Sequence, residues 1–359
     1  MKSIKKIFGG QLLLPLIALL ILVLFNLIWD PGFFSVVKEV NNAGDPILKG
    51  YLVTIFDYGS ELAILAIGMT LVTAASGGQD ISVGATIAIA GSVILRVIRG
   101  GEVNVAKMNV PLIVAMLVAI LASMAVGAFN GSLVAFFKVP PMVATLIMFT
   151  AGRSIAGWIN NYDNIYIGDP AFKIFGGVIP GFPVPTAILI AIICMIVTAL
   201  LLKFTTLGLY VQTVGINEKS ARLNGINPIL VKFITFVFLG VCCAVCGLIQ
   251  TSRLGTINYS NISLNIEMDA ILAVALGGNS LGGGKFSIKG SVIGAYIIQF
   301  LTVTLYKLNV PSTAISAYKA VVVIILVVFS SPVITEKIKA ANSRRKAKAL
   351  ARKEGVANE

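Results

Sequence analysis

One aspartate stands between two long apolar blocks, in the run Gly77-Gly78-Gln79-Asp80-Ile81-Ser82-Val83-Gly84. A charge at bilayer depth costs about 2.5–3.5 kcal/mol on insertion scales, so such a side chain must face protein or water rather than lipid. Three readings of Asp80 are open. It caps the helix that starts near Ser82 or Val83, accepting free N–H groups; it lines a solute path; or it relays protons. Gly77, Gly78 and Gly84 permit the unwound backbone that a broken helix needs. A second run, Gly277-Gly278-Asn279-Ser280-Leu281-Gly282-Gly283-Gly284, has the same order of apolar block, glycine pair, polar pair and further glycine. Transporters carry broken helices at corresponding places in internal repeats. Gly77, Gly78, Gln79, Asp80, Ser82, Gly278, Asn279 and Ser280 are therefore candidates for the lining of a translocation path, and the two runs for a repeat.

Other reactive chemistry is sparse. The chain has no His, which excludes His-based acid–base catalysis, Ser-His-Asp triads and His metal sites. No catalytic residue, metal site or cofactor is expected. The glycine-rich stretch 277–290 is not a nucleotide loop: Gly284-Lys285 is followed by Phe286 where a Walker sequence needs Ser or Thr. Cys242, Cys243 and Cys246 fall in an apolar block and read as packing residues. Glu61, Glu267 and Asp269 are placed near block ends, where water reaches them. That leaves Asp80 as the one deep acid. A stand-alone ion-coupled carrier using Asp80 is the alternative function, and the lack of paired intramembrane charges counts against it.

The elements that hold these residues are long and apolar. Hydrophobic residues make up 57% of the 359 and charged residues 12%, against about 25% charged in a soluble domain. Ten blocks approach the roughly 20 residues that a bilayer core demands: 11–29, 55–75, 83–98, 110–137, 141–160, 184–204, 231–251, 266–279, 288–306 and 315–334. The fold class is all-α, a polytopic membrane protein of about ten transmembrane helices, with broken helices. The first block follows Lys2, Lys5 and Lys6 without a small-residue cleavage site, so it is read as a retained span. Residues 1–359 form a single membrane domain, with spans over about 11–334 and a basic tail at 335–359.

Of the 28 Lys and Arg residues, eight lie between Lys337 and Lys353, which suits anionic lipid headgroups better than nucleic acid. With both termini cytoplasmic, Lys138, Lys203, Lys219, Arg222, Lys232, Lys285 and Lys289 all fall inside, as the positive-inside rule requires. One inside segment, 205–230, carries helix-start chemistry at Asn217 and a stop at Gly225 before Pro228. It reads as a short amphipathic helix on the cytosolic face, suited to docking a partner: Asn217, Glu218, Lys219, Ser220, Ala221, Arg222 and Gly225.

At these residues the chain resembles the ribose-type sugar permeases of ABC importers, and within them the subgroup associated with galactose and galactofuranose uptake. The resemblance covers almost the whole chain. It is carried by Ala66-Ile-Gly-Met-Thr-Leu-Val72 with Ser76 to Gly84, by Val143-Ala-Thr-Leu-Ile147 with Ala151-Gly-Arg153, by Gly215 to Ile226, and by Asp269 to Gly278 with Gly290-Ser-Val-Ile-Gly294. It implies import of a small sugar, galactofuranose, galactose or ribose among them, across the cytoplasmic (inner) membrane. The implied partners are a second permease, identical or paralogous, two cytosolic ATPase subunits and an extracytoplasmic sugar-binding protein. Asn217 to Gly225 would then be the coupling helix gripped by the ATPase. The family's Glu-Ala-Ala pattern is met here by Lys219-Ser220-Ala221, with Glu218 one place early, and its Gly-Gly-Ile-Asp by Gly77-Gly78-Gln79-Asp80.

Overall fold

The computed structural model describes residues 13–40, 46–100, 102 and 104–330. The chain separates into two compact units, Met1–Asn309 and Val310–Glu359. Lys2, Lys5, Lys6 and the basic tail lie outside the described residues.

The first unit holds twelve of the described helices: α1 (Leu13–Trp29), α2 (Tyr51–Ser76), α3 (Val83–Arg99), α4 (Leu112–Ala135), α5 (Pro141–Ile159), α6 (Pro170–Lys173), α7 (Thr186–Phe204), α8 (Leu207–Ile216), α9 (Glu218–Leu223), α10 (Pro228–Leu254), α11 (Ile266–Leu276) and α12 (Ile288–Lys307). The described part of the second unit is the helix α13 (Ser312–Ser330). Sheet is confined to two small pairs. Strand β1 (Val37–Val40) runs antiparallel to β2 (Pro46–Lys49), and β3 (Asn104–Val105) runs parallel to β4 (Tyr166–Ile167).

Each of the ten apolar blocks contains a helix, because in lipid a spanning segment must satisfy its backbone internally. Among the described residues, α2, α4, α5, α7, α10 and α12 are long and apolar enough to cross a bilayer alone. Helix starts follow local chemistry. Pro141 and Pro228 occupy the first turn, where a missing N–H costs nothing. Asn227 caps α10 through the amides of Ile229 and Leu230.

Burial divides the helices of the first unit. Of the apolar stretch of α2, 67% is buried, against 17% for α7, so α2 is the hub and α7 faces outward. Around α2 pack α7, α8, α10, α11 and α12. Where α4 crosses α10, glycines remove the side chains. A Cβ at Gly127 or Gly240 would run into the backbone of the facing helix, at Phe236 and Ser123. Small residues that let backbones approach are how helices associate in lipid, where apolar burial gives little drive.

The connections gather at two opposite faces. At one, Leu48 N–H donates to Pro183 C=O (3.1 Å), Ile167 N–H to Gly255 C=O (2.7 Å) and Met108 N–H to Asp169 (2.8 Å). At the other, Gly284 N–H donates to Ala74 C=O (2.9 Å), and Gly78 lies against the Pro141 ring. Successive connections alternate between these sets, as repeated crossing requires.

Helix α11 departs from a full span. Its 11 residues rise only about 16 Å, roughly half a bilayer core. The connection before it makes up the difference: Ile257 and Ile262 reach Gly91, and Ser263 C=O reaches Gly84. The segment 255–265 thus folds back between the helices.

Gly240→Leu should wedge α4 from α10. The expected result is loss of the monodisperse, detergent-solubilised protein, read by size-exclusion chromatography, whereas Gly168→Ala, whose Cβ meets only ordinary contacts from 3.7 Å outward, should elute as the unmodified chain.

Candidate functional site

The first break begins where α2 ends. Gly77 takes a left-handed conformation (φ 68°) and its N–H closes on Thr73 C=O. The chain then turns through Gly78 and Gln79 into α3. Asp80 governs that turn: the amide (2.8 Å) and hydroxyl (2.6 Å) of Ser82 both donate to Asp80 Oδ1. Asn130 on α4 donates to Ser82 Oγ (2.8 Å) and more weakly to Asp80 Oδ2 (3.4 Å). From α5, Thr145 Oγ1 accepts from Ile81 N–H at 3.2 Å. Asp80, Ser82 and Asn130 are all buried. Asp80 accepts from Ser82, the residue that precedes α3, and from none of the first-turn amides of α3, so its bonds fix the turn into the helix without a side-chain cap on α3 itself.

The second break uses the same device with an amide. Gly278 is left-handed (φ 78°). Asn279 Oδ1 accepts from Ser287 N–H, while its Nδ2 donates to Val274 C=O (3.1 Å) and Ser291 Oγ (2.8 Å). Ser291 in turn shares a hydrogen bond with Thr70 of α2 at 2.6 Å. The two runs match in kind but not in register, since the left-handed glycine is the first of the pair in one and the second in the other.

The breaks also touch each other. Gln79 Nε2 donates to Leu281 C=O (3.0 Å), and Gly284 N–H donates to Ala74 C=O (2.9 Å). Gly282 and Gly283 lie against Gly77. Ser280 is exposed and Gly77 with it, while Gly78, Gln79, Asp80, Ser82 and Asn279 are buried.

The segment 205–227 abuts this junction. Sequence reasoning placed one helix there; the structure has two. The unforeseen one, α8, carries glycines at 208 and 215 and holds its place by burying Val211 and Val214. Gly215 sits where any side chain would collide with Ala74 C=O and Gly284 N. Then Asn217 caps α9, accepting from Ser220 N–H at 3.0 Å. Gly225 (φ 77°) ends the turn. Glu218 pairs with Arg222 (2.8 Å) and with Lys232 at the start of α10 (2.7 Å). The hydrogen bond from Lys232, with its charge and that of Arg222, holds the Glu218 carboxyl below its ordinary value. Ala221 is buried, and Leu223 points away, 89% exposed. Lys219 is exposed beside it.

The acids near block ends come out differently from expectation. Glu61 and Glu267 are buried, so Asp80 is not the only enclosed carboxylate. Glu61 pairs with Arg253 of α10, which also bonds Asp57 (2.9 Å). Glu267 lies beside Gly84 and Arg153. Arg153 Nη1 spends its protons on the carbonyls of Tyr259 (3.3 Å), Ser260 (3.1 Å) and Ile262 (2.8 Å), and so staples the folded-back segment to α5. Charge periodicity could not have found these pairings, since Arg253 lies almost 200 positions from its acids and Arg153 more than 100 from its carbonyls. The cysteines 242, 243 and 246 are buried and free.

Residues 51–331 match the family model described as branched-chain amino acid transport system / permease component. The chain is 34% identical over 359 residues to the fructose import permease protein of Bifidobacterium longum, covering 99% of this chain and 96% of that one. It is 36% identical over 331 residues to the galactofuranose transporter permease protein of Escherichia coli K12, covering 92% and 93%. It is also 36% identical over 315 residues to the ribose import permease protein of the same organism, covering 87% and 91%. No solved structure matches.

Asp80→Ala should leave the amide and hydroxyl of Ser82 without their acceptor in a buried site, costing about 1–3 kcal/mol. The thermal midpoint of the solubilised protein should drop, and Asp80→Asn, which keeps an acceptor oxygen, should drop it less.

Proposed function

The chain belongs to the branched-chain amino acid transport system / permease component family, and from that premise we propose that it is the membrane-spanning permease subunit of an ABC importer for a monosaccharide. It is a multi-pass membrane protein. The sugar follows from relatives that are named for fructose, galactofuranose and ribose and align along nearly the whole chain. ATP hydrolysis belongs to a separate cytosolic subunit. An extracytoplasmic binding protein delivers the sugar, and a second permease, identical or paralogous, completes the passage. The protein resides in the inner membrane with the α8–α9 face and both termini in the cytoplasm, and residues 1–359 act as one permease domain.

A single contact chain carries the mechanical part of this reading. Leu223 presents a large apolar side chain outward from α9. Glu218 ties α9 to α10 through Lys232. Gly215, at the end of α8, lies on both Ala74 and Gly284. A push delivered at Leu223 would therefore reach the ends of both broken helices through α9 and α8, whose last step at Gly215 is backbone against backbone. ATPase closure would shift α8 and α9 as a unit and change the packing of the two glycine junctions. Gly77, Gly78, Gln79, Asp80, Ser82, Gly278, Asn279 and Ser280 are the residues placed to open and close the path. Asp80 acts there by holding the start of α3 in place.

The test is reconstitution of the chain in nanodiscs with its ATPase and binding protein. Sugar-loaded binding protein should raise ATP hydrolysis; no rise, with each component active by itself, overturns the assignment. Leu223→Asp should remove an apolar anchor worth about 2 kcal/mol, roughly thirtyfold in ATPase docking affinity, without moving the thermal midpoint of the permease. Unchanged docking would remove α9 from the coupling role.

A further inference from the structure

The outer faces of two long spans are what lipid requires. On α4 the exposed side chains include Ile113, Leu117 and Leu121, and on α7 Ile193, Val197 and Leu200; through the body of both helices every exposed residue is apolar. Helix α5 differs. Thr150, Ala151 and Ser154 are exposed on it, and Arg153 beside them is only half-buried. Their depth follows from the helix itself. Pro141 begins α5 at the face of the glycine breaks, and at 1.5 Å per residue Arg153 stands roughly 18 Å above it, inside a bilayer core about 30 Å thick.

A hydroxyl alone is no sign of water. Thr150 donates to the carbonyls of Leu146 and Ile147 (3.0 Å each), which satisfies it within its own helix. A guanidinium has no such escape, and at this depth it must face protein or water. Protein supplies part of what Arg153 needs. Its Nη2 donates to Ser263 C=O (3.3 Å), its Nη1 to the carbonyls already described, and the bond to Ser260 C=O among these is exposed. Glu267 supplies a counter-charge. Its Oε2 and Arg153 Nη2 lie 2.6 Å and 3.2 Å from the point that a Cβ on Gly84 would take, and this Oε2 is buried with no hydrogen-bond partner among the described residues. The folded-back segment adds the stronger constraint. Irregular backbone at bilayer depth is tolerated only where protein buries it or where it lines water. Segment 255–265 descends to the level of Gly84 and Arg153, yet Asn258, Ser260, Asn261 and Asn265 are all exposed on it. Amide and hydroxyl side chains so placed belong against water.

We infer that the aqueous passage of the transporter runs over this face of α5, with Thr150, Arg153 and Ser154 lining it beside Ser260 of the folded-back segment. The inference rests on the permease reading and adds to it where the solute travels. The glycine breaks form its floor at one membrane face, and α5 with segment 255–265 forms its wall above them. A second permease closes the passage from across this wall, with water between, instead of packing dry against it. Arg153 is then a positioning residue: it holds the irregular segment against α5 and so keeps the wall in place. The run Ala151-Gly152-Arg153, which neither the breaks nor α9 use, gains a role.

The test is thiol accessibility in the assembled permease–ATPase complex in nanodiscs, nucleotide-free and trapped with ATP and vanadate. Thr150→Cys and Ser154→Cys are the reporters, with Ala151→Cys in place of either that fails to elute as a monodisperse complex. Leu117→Cys and Ile193→Cys, at positions 57% and 60% exposed on α4 and α7, are the lipid-facing references. The unmodified chain is the blank for its own cysteines. The reagent is a charged, membrane-impermeant methanethiosulfonate, which reacts with thiolate. A lipid-facing thiol raised by one pKa unit holds about a tenth of the thiolate, so the reporters should label at least about tenfold faster than the references in one state or the other. Labelled Ser154→Cys, reconstituted in liposomes with the binding protein, should lose sugar uptake and regain it when dithiothreitol removes the label. Reporters as slow as the references in both states, as dry packing of the second permease would make them, would overturn the passage. So would labelling that leaves uptake intact. Uptake by the unlabelled complex reports separately on the importer reading: its absence would sink that reading, while the labelling ratio would still decide the passage.

Discussion

At the end of α2 the carbonyl of Ala74 loses its helical partner, and the amide of Gly284 replaces it from more than 200 residues away. A bilayer offers no water to satisfy a backbone group left open by a broken helix. Two breaks placed side by side solve the problem for each other. That requirement explains the glycines around them. Gly77, Gly282 and Gly283 must allow backbone to meet backbone, and Gly215 must leave the same carbonyl uncovered on its other side.

The polar residues at the breaks follow from the same constraint. Asp80 and Asn279 each supply acceptors to a serine at the start of the next helix, and each is buried. A carboxylate so enclosed is tolerable because hydrogen bonds replace its water. Its donors are the local Ser82 and the distant Asn130 of α4, so the turn is held by a tertiary contact as well as by local sequence.

The opposite face uses charge where this one uses backbone. Arg253 gathers Asp57 and Glu61 from α2, and Arg153 gathers the carbonyls of 259–262. Both arginines tie the folded-back segment and its surroundings to long helices. The same arginines therefore hold the connections of this face to the long helices beside them.

Composition and block length were enough to establish a polytopic helical membrane chain, because the bilayer imposes a length and polarity that any spanning helix must show. The glycine pairs marked both breaks, and Asn217 with Gly225 marked the ends of α9, because caps and left-handed turns depend on a few adjacent residues. Helix α8 was not legible, since its ten residues have weak local preference and are held by burial of Val211 and Val214. The block 266–279 was itself short; what stayed hidden was the segment that completes its depth, which is polar and is held there by Arg153. Glu61 and Glu267 were misplaced at watery ends for a related reason. Where a side chain sits along a span says how deep it lies. Whether protein or solvent surrounds it depends on which helices pack there, and only the tertiary structure decides that.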